Sequence, residues 1–321
     1  MNIDVSIVIV CMNNLNNLYP CLESIKKYTT VSYETLVVAY LFSKDNLEKV
    51  KNDFPWVTFI ESNEIRGFSE NNNLALRQAK GKYCFVLNDD TEMKMDVIGR
   101  LMLSINSLSS NTCIVSPKIL IGKESKVLLG KPKYTFFTYF LGCLGMANYL
   151  YKRSFYTLNE DVFLTYNISG AAFLIKSEIF KQVGWFDEKY FFCPEDIALS
   201  TLLNKKGYKI YVDSEAIIYH FSGGTWSSTI TATKPASVKG EYYFYCGNNV
   251  LKKTIFIVFV SFIHFLRICY WLTIGKNSDK KEIMIKANRN AIMALLSHRT
   301  PKQLFCHYYK KLKESPFKAQ K

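Results

Sequence analysis

Residues 85–92 read Phe-Val-Leu-Asn-Asp-Asp-Thr-Glu, and they constrain the chain more than any other stretch. An apolar run of strand type, Tyr83 to Leu87, stops abruptly at Asn88, Asp89 and Asp90. Carboxylates at the tip of a buried strand are costly unless something cationic answers them. Oxygen ligands set this way suit a hard divalent ion such as Mg²⁺ or Mn²⁺, which can in turn hold a diphosphate. The same residues also fit a turn followed by a helix N-cap, so the rest of the chain has to decide between the two.

Upstream, Val5–Val10 is a buried-strand run, and Leu18, Cys21, Leu22 and Ile25 then fall on one helical face. Thr35–Leu41 predicts a strand, Asp45–Asp53 a helix, Val57–Ile60 a strand and Ser69–Ala79 a helix. After Tyr83–Leu87, a helix is expected over Asp96–Leu108 and a strand over Cys113–Ile121. Strands alternating with helices predict an open, mainly parallel α/β sheet that binds ligands beyond the carboxyl ends of its strands. Asp89 and Asp90 sit at such an end. In the second half, Ser169–Ile175 resembles a strand entered through Gly170, and Ser177–Val183 a short helix. Glu195–Lys206 is a helix opened by an acidic pair, which suits its positive N-terminus. Lys209–Val212 and Ala216–Tyr219 read as two closing strands.

The net charge of +14 over 321 residues is unevenly placed. Residues 1–249 hold 26 Lys/Arg against 24 Asp/Glu, whereas residues 250–321 hold 15 against 3. The basic character therefore belongs to a tail, and a block of this kind suits an anionic membrane surface or nucleic acid. The basic residues surround an apolar helix and no nucleic-acid motif is present, so nucleic acid is not expected as a partner. The nine cysteines are odd in number and contain no Cys-x-x-Cys pair. Neither a disulfide framework nor a zinc site is indicated, and a reducing cytoplasm is expected. No signal peptide is expected, because a strand pattern follows Met1 and Asn2 directly.

Four further segments join the aspartates. They are Val-Ser-Ile-Val-Ile-Val-Cys-Met-Asn-Asn (5–14), Arg-Gly-Phe-Ser-Glu-Asn-Asn-Asn-Leu-Ala (66–75), Gly-Trp-Phe-Asp-Glu-Lys-Tyr-Phe-Phe-Cys-Pro-Glu-Asp (184–196) and Tyr-His-Phe-Ser-Gly-Gly-Thr (219–225). In this order and spacing the chain resembles the family 2 glycosyltransferases of GT-A fold, particularly their bacterial rhamnosyltransferase-like branch, over roughly residues 3–250. The resemblance implies an inverting glycosyltransferase, moving a hexosyl or deoxyhexosyl group from a nucleotide-diphosphate sugar to an acceptor hydroxyl. The acceptor class it implies is a cell-surface polysaccharide or lipid-linked glycan precursor.

Residue by residue, it implies a divalent cation (Mg²⁺ or Mn²⁺) at Asp90, with Asp89 beside it on the donor side and His220 as second ligand. An acceptor hydroxyl must lose its proton as it attacks. Asp196 is expected as that base, with Glu195 as its alternate; simple capping of the helix is the plainer reading of both. Asn72 and Asn73 fall on the family's Asn pair, to hydrogen-bond the nucleotide or fix its loop, with Arg66 near phosphate and Asn13 in the first loop. Gly170 and Ala171 match a Ser-Gly-Ala segment lining the donor-sugar or acceptor pocket. The pattern also departs from the family. Asn88 stands where a strict Asp-x-Asp has an acid, Ala198 replaces a second acid after Asp196, and Ala39 or Tyr40 occupies the place of a base-reading Asp. Base recognition is then rebuilt, by Tyr40 stacking or Asp45, or relaxed. A degenerate sugar-nucleotide-binding protein without turnover is the alternative these losses leave, while a nucleotidyltransferase lacks its Gly-rich basic loop.

The expected organisation is a catalytic domain over 1–249, with a nucleotide-binding half (1–121) and an acceptor half (122–249), followed by a basic helical tail over 250–321. Within the tail, Thr254–Ile274 is near transmembrane length. Ser261, His264 and Arg267 give it a polar stripe, so a helix in the membrane plane flanked by Lys252, Lys253, Lys276, Lys280 and Lys281 is expected. Packing on the catalytic domain as core is its alternative. A second uncharged run, Tyr134–Tyr151, is expected as an acceptor-side insertion or lid. The protein is therefore expected at the inner face of the cell membrane, peripherally bound.

Overall fold

Val5 to Ile9 are all buried in β1 (Val5–Cys11), as a strand covered on both faces requires. The period of two divides it between two cores. Val5, Ile7, Ile9 and Cys11 pack with Leu18, Leu22 and Ile25 of α1 (Leu15–Tyr28), and Val8 packs on the opposite face with Val86, Phe173 and Ile175. The computed structural model describes residues 3–122, 126–146, 161–221, 229–273 and 278–314. Its contacts form two compact units.

The first unit is Met1–Lys133, Ser154–Asp187 and Glu195–Ser222. Parallel to β1 run β2 (Tyr33–Tyr40) and β4 (Tyr83–Asn88), and β3 (Val57–Ser62) is parallel to β2. The crossovers are α1, α2 (Lys44–Asp53) and α3 (Phe68–Leu76). Then follow β5 (Thr91–Met93), α4 (Val97–Ser107), β6 (Thr112–Ile121) and β7 (Lys126–Leu128). Helix α5 (Phe136–Cys143) belongs to the second unit, and β8 (Val162–Thr165), β9 (Ala172–Lys176), α6 (Ser177–Gln182), α7 (Glu195–Lys205) and β10 (Lys209–His220) return to the first. The sheet order is β3-β2-β1-β4-β9-β6-β10-β5, with β7 on β6 and β8 on β10. The expected α/β sheet is present and mixed: its N-terminal half is all parallel, whereas β9 runs antiparallel to both β4 and β6.

The two closing strands expected over 209–212 and 216–219 are one strand. β10 keeps its pairing with β6 across a register shift between Asp213 and Ile217. The bulge is held by Asp213, whose fully buried carboxylate accepts from Arg100 Nε (3.1 Å), Ser104 Oγ (2.6 Å) and the Glu215 N–H (3.0 Å). A polar residue inside an apolar run reads as a strand break, but here it fills the extra residues of a bulge.

The second unit is Tyr134–Arg153, Glu188–Pro194 and Gly223–Lys321. Its helices are α5, α8 (Ile230–Cys246), α9 (Val250–Thr273), α10 (Ser278–Leu296) and α11 (Pro301–Glu314). Val238, Cys246, Phe256, Val260, Ala291 and Leu295 form its core, with Tyr139 stacked on Phe256 at 5.1 Å. The uncharged run from Tyr134 thus contributes α5 to this core, and its part from 147 to 151 lies outside the described residues. The expected boundary at 249 falls in the turn between α8 and α9, both of this unit.

Of the expected polar stripe of α9, His264 turns inward beside Phe256, Val260 and Ile263, while Arg267 is exposed. His264 is buried and its Nδ1 lies 2.8 Å from Asn288 Oδ1 of α10. Outward instead point Val258 (66% exposed), Phe262 (55%) and Phe265 (54%). Glu241 of α8 accepts a 2.7 Å hydrogen bond from the Tyr139 hydroxyl. Burial pushes its carboxyl up to about 7, against the opposing Tyr139 hydrogen bond and the charges of Arg267 and Lys234. A carboxyl with a native value above its unfolded 4.5 keeps its proton in the fold. The fold therefore loses stability as pH rises from about 4.5 to about 7 and levels off above that. Glu241→Gln keeps an acceptor for Tyr139 and should flatten this contribution, so urea midpoints of the variant should fall less between pH 5 and about 7.5 than those of wild type.

Candidate active site

The first unit gathers the expected residues at one edge of its sheet. β4 ends at Asn88 in register with Val10 of β1, so the loops carrying Asn13 and Asp89–Asp90 leave the sheet side by side. The antiparallel β9 starts where β4 ends, with Leu87 opposite Ala172, and the Asn88 N–H donates to the Ala171 carbonyl at 2.9 Å. Next to it, the Gly170 N–H donates to Asp196 Oδ2 at 3.2 Å. Two adjacent residues, Gly170 and Ala171, thus connect the aspartate strand to the first turn of α7. A Cβ at Gly170 would meet Asp196 and Phe68 only at ordinary contact distances of 3.6 and 3.9 Å, so sterics alone do not demand glycine there.

After Asp90 the chain turns into β5, which pairs Thr91 with His220 at the end of β10, and the Phe221 N–H donates to the Asp90 carbonyl at 2.8 Å. This brings Asp90 Oδ1 to 2.9 Å from His220 Nε2, with the side chains only 12% and 15% exposed. His220 Nδ1 is buried without a hydrogen-bond partner among the described residues. Burial raises the neighbouring Asp89 carboxyl to about 7; the Cys11 thiol's hydrogen bond opposes the rise and the Asp90 charge adds to it.

These groups fit a divalent cation. An enclosed carboxyl, a second carboxylate and an imidazole with an orphaned nitrogen form an electron-rich pocket that a cation would answer. Among the described residues no group of three or more His, Cys, Asp and Glu side chains forms a metal cage. Asp90 and His220 would therefore be two ligands of a shell completed by water or a bound anion, the usual habit of Mg²⁺ and a mode open to Mn²⁺.

Asp196 is held from three sides. Oδ1 accepts from the Ile197 N–H at 2.8 Å, and Oδ2 accepts from the Gly170 N–H and, at 3.3 Å, from Lys131 Nζ. Lys131 was not legible in the sequence, since no spacing rule joins residues 65 apart. It arrives because Gly130 lets the chain close on β8: a Cβ at 130 would lie 2.1 Å from Thr165 Oγ1. The Lys131 N–H then donates to Thr165 Oγ1 and to the Asn167 carbonyl, both at 3.0 Å. Glu195, the alternate base, is buried in the first turn of α7.

The asparagines after Gly67 serve the loop. Asn73 is fully buried, donates from Nδ2 to the Phe186 carbonyl at 2.9 Å and accepts the Phe186 N–H on Oδ1 at 3.1 Å. Asn72 Nδ2 donates to the Phe68 carbonyl at 2.9 Å. Arg66 lies in the connection between β3 and α3, donating from Nη1 to Ser62 Oγ (3.3 Å) and from Nη2 to Glu64 (2.9 Å). Its N–H donates to the hydroxyl of Tyr40, a residue only 6% exposed, which leaves little of that ring for a base to stack on. Asn13 holds a left-handed backbone (φ 50°) and accepts from the Ser43 N–H and Asn46 Nδ2, joining the first loop to α2.

With this geometry, the molecule is similar to solved glycosyltransferases of GT-A fold. The likeness to GalNAc-T7, solved with UDP, GalNAc and Mn²⁺, has a TM-score of 0.56 at 15% identity and covers 96% of this chain and 58% of that one. The likeness to the mannosyltransferase PcManGT from Pyrobaculum calidifontis, solved with GDP-Man and Mn²⁺, has a TM-score of 0.53 at 12% identity and covers 98% and 82%. The Glycosyl transferase family 2 profile matches residues 6–184. The chain belongs to that family. An N-acetylglucosaminyl-diphospho-decaprenol L-rhamnosyltransferase of Mycobacterium tuberculosis is 39% identical to it over 59 residues, a stretch of 18% of this chain and 19% of the relative.

The paired bonds of Asn73 to Phe186 give a direct test of its structural role. Asn73→Ala leaves a buried N–H and carbonyl unpaired, and should lower the unfolding free energy by about 2–4 kcal/mol in urea titrations. Asn72→Ala, which loses one such bond, should cost about half as much.

Proposed function

We propose that this protein transfers a sugar from a nucleotide-diphosphate donor to an acceptor hydroxyl with inversion at the anomeric carbon. The observation that carries the reading is the main-chain link from Asn88 through Ala171 and Gly170 to Asp196, beside the Asp90–His220 pair. It joins a carboxylate–imidazole pair suited to a cation with a separately held carboxylate suited to a base.

Asp90 and His220 hold the cation, with Asp89 beside them. When bound, Mg²⁺ or Mn²⁺ supplies positive charge to the diphosphate leaving group. Asn13 and Arg66, beyond the carboxyl ends of β1 and β3, border the nucleotide, and Asn72 and Asn73 fix the loop that follows Arg66. Gly170 and Ala171 line the sugar. Asp196 is the base. An ionised carboxylate offers about four lone-pair positions, and Ile197, Gly170 and Lys131 engage three of them. The one that remains takes the acceptor's proton as its oxygen bonds the anomeric carbon and the bond to the diphosphate breaks, the diphosphate leaving with the electron pair. Lys131 positions this carboxylate and keeps it compensated. On this reading residues 1–121 bind the nucleotide and residues 122–249 the acceptor. The name of the mycobacterial relative supports a lipid-linked acceptor and a deoxyhexose donor.

Thermal shifts with nucleoside diphosphates, with and without Mn²⁺, combined with initial rates of transfer, test the assignment. Asp196→Asn should lower transfer by roughly 10²–10⁴-fold while nucleotide binding stays. Asp90→Ala and His220→Ala should each lose the Mn²⁺-dependent shift. A β2 end of Ala39 and Tyr40 in place of an acid favours one other reading, a sugar-nucleotide-binding protein without turnover. Donor hydrolysis that disappears in Asp196→Asn excludes it.

The helical unit supports a peripheral position at the inner membrane face. α9 is long and apolar enough to cross a membrane, and 22% of its most apolar window is buried. Its buried His264 and the lysines near its start favour lying in the interface. Val258→Glu with Phe262→Glu should lower co-sedimentation with anionic liposomes by about tenfold or more, since two large apolar side chains leave the lipid.

A further inference from the structure

Helices α10 and α11 place their basic residues at helical spacing toward each other. Lys286 and Arg289 are three apart on α10, and His307 and Lys311 four apart on α11, so each pair shares a face. Arg299 lies in the connection between the helices. All five, with Tyr308, line a cavity of about 360 Å³ closed on a further side by Thr231 of α8. Among its described lining residues there is no aspartate or glutamate.

A solvated basic face looks different. Such a face is convex and interleaves acids at i, i+4, as Lys310 does with Glu314 on the outer side of α11, both well exposed. Here Lys286, Arg289, Arg299 and Lys311 are also exposed, but with His307 they are gathered around one concavity. His307 is held below its ordinary range by burial and by the charges of Lys311 and Arg299. Tyr308 is raised by burial while Arg299 and Arg289 oppose the rise. These groups therefore feel one another's fields. A cleft lined by one sign of charge concentrates counter-ions, and guanidinium groups match phosphate oxygens in bidentate pairs. The volume fits a compact polyanion and is too small for a nucleic-acid strand, which needs a tracking groove.

We propose that this cavity is a binding site for a phosphate or diphosphate group, distinct from the donor site of the sheet unit. The phosphate group comes from a lipid headgroup or from a soluble phosphate. It does not depend on the transfer reaction, because every residue of the site belongs to the helical unit.

The test uses the full chain in EDTA, so that no cation supports binding at Asp90 and His220. Inorganic pyrophosphate is titrated by calorimetry, and vesicles of phosphatidylcholine with and without phosphatidic acid are co-sedimented. Arg289→Glu with Lys311→Glu reverses charge at the cavity, Arg289→Lys conserves it, and Lys302→Glu with Lys310→Glu reverses the same charge elsewhere in the tail. Wild type should bind the phosphate probe, the cavity reversal should weaken it by about tenfold or more for each cation, Arg289→Lys should bind between the two, and the tail reversal should bind nearly as wild type. All variants should keep the wild-type thermal shift with nucleotide and Mn²⁺, which separates this site from the donor site. Binding to phosphatidic acid vesicles alone assigns the phosphate to a lipid; binding to pyrophosphate alone assigns it to a soluble ligand; binding to both assigns recognition to the phosphate itself. Binding to neither, or equal losses in the cavity and tail reversals, overturns the proposal. So does a single-stranded oligonucleotide that binds more tightly than either probe and is lost with the cavity reversal.

Discussion

The hydrogen bond from the Asn88 N–H to the Ala171 carbonyl organises the sheet unit. A parallel sheet would place another parallel strand beside β4, and its carboxyl-end loop would have to satisfy its own polar groups. Here an antiparallel strand, β9, begins at that edge, so β4's exit and β9's entry share their main-chain partners. Asp196 is then tied to the same short segment through Gly170. Carboxylates from distant parts of the sequence share one edge because the backbone groups between them are already satisfied, which leaves the side chains available for ligands.

The electrostatics at that edge follow from the same arrangement. Asp89 is raised to about 7 mainly because it is enclosed, whereas Asp196 carries Lys131 at 3.3 Å and two main-chain donors. Among the described residues Asp89 and Asp90 have no Lys or Arg ion pair, whereas Asp196 has one with Lys131. That asymmetry suits a site in which one region receives a metal and a diphosphate while the other works as a bare protein group.

Runs covered on both faces were plain in the sequence: β1 and β4 differ from the expected strands by a residue or so at their ends. The motif positions at 90, 170, 196 and 220 were also legible, through the family pattern. What escaped were features whose cause is a partner far along the chain. Lys131 is an ordinary lysine until Gly130 lets it approach Thr165. Asp213 looks like a break in a strand until Arg100 and Ser104 cover it. α8 carries Pro235 and has no apolar stripe of helical period, so nothing marked it, yet Lys239 on it reaches the Ser297 carbonyl at 2.7 Å.

The helical unit sets a different physical problem from the sheet. A helix in a water-facing protein turns its apolar stripe to the core, because about 25 cal/mol is gained for each Å² of apolar surface removed from water. α9 turns Phe256, Val260 and Ile263 inward together with His264, which meets Asn288, and leaves Val258, Phe262 and Phe265 more than half exposed. In water this forfeits burial and also desolvates an imidazole, whose pKa falls to about 4 mainly through burial. The arrangement costs less where the outer surroundings are themselves apolar, because the exposed stripe then has a partner and the inward hydrogen bond is stronger. Surroundings with an apolar interior and an anionic surface meet the outer stripe of α9 and the basic tail together. The exposed apolar residues of α9 and the charge bias of residues 250–321 would both be met by the proposed membrane surface.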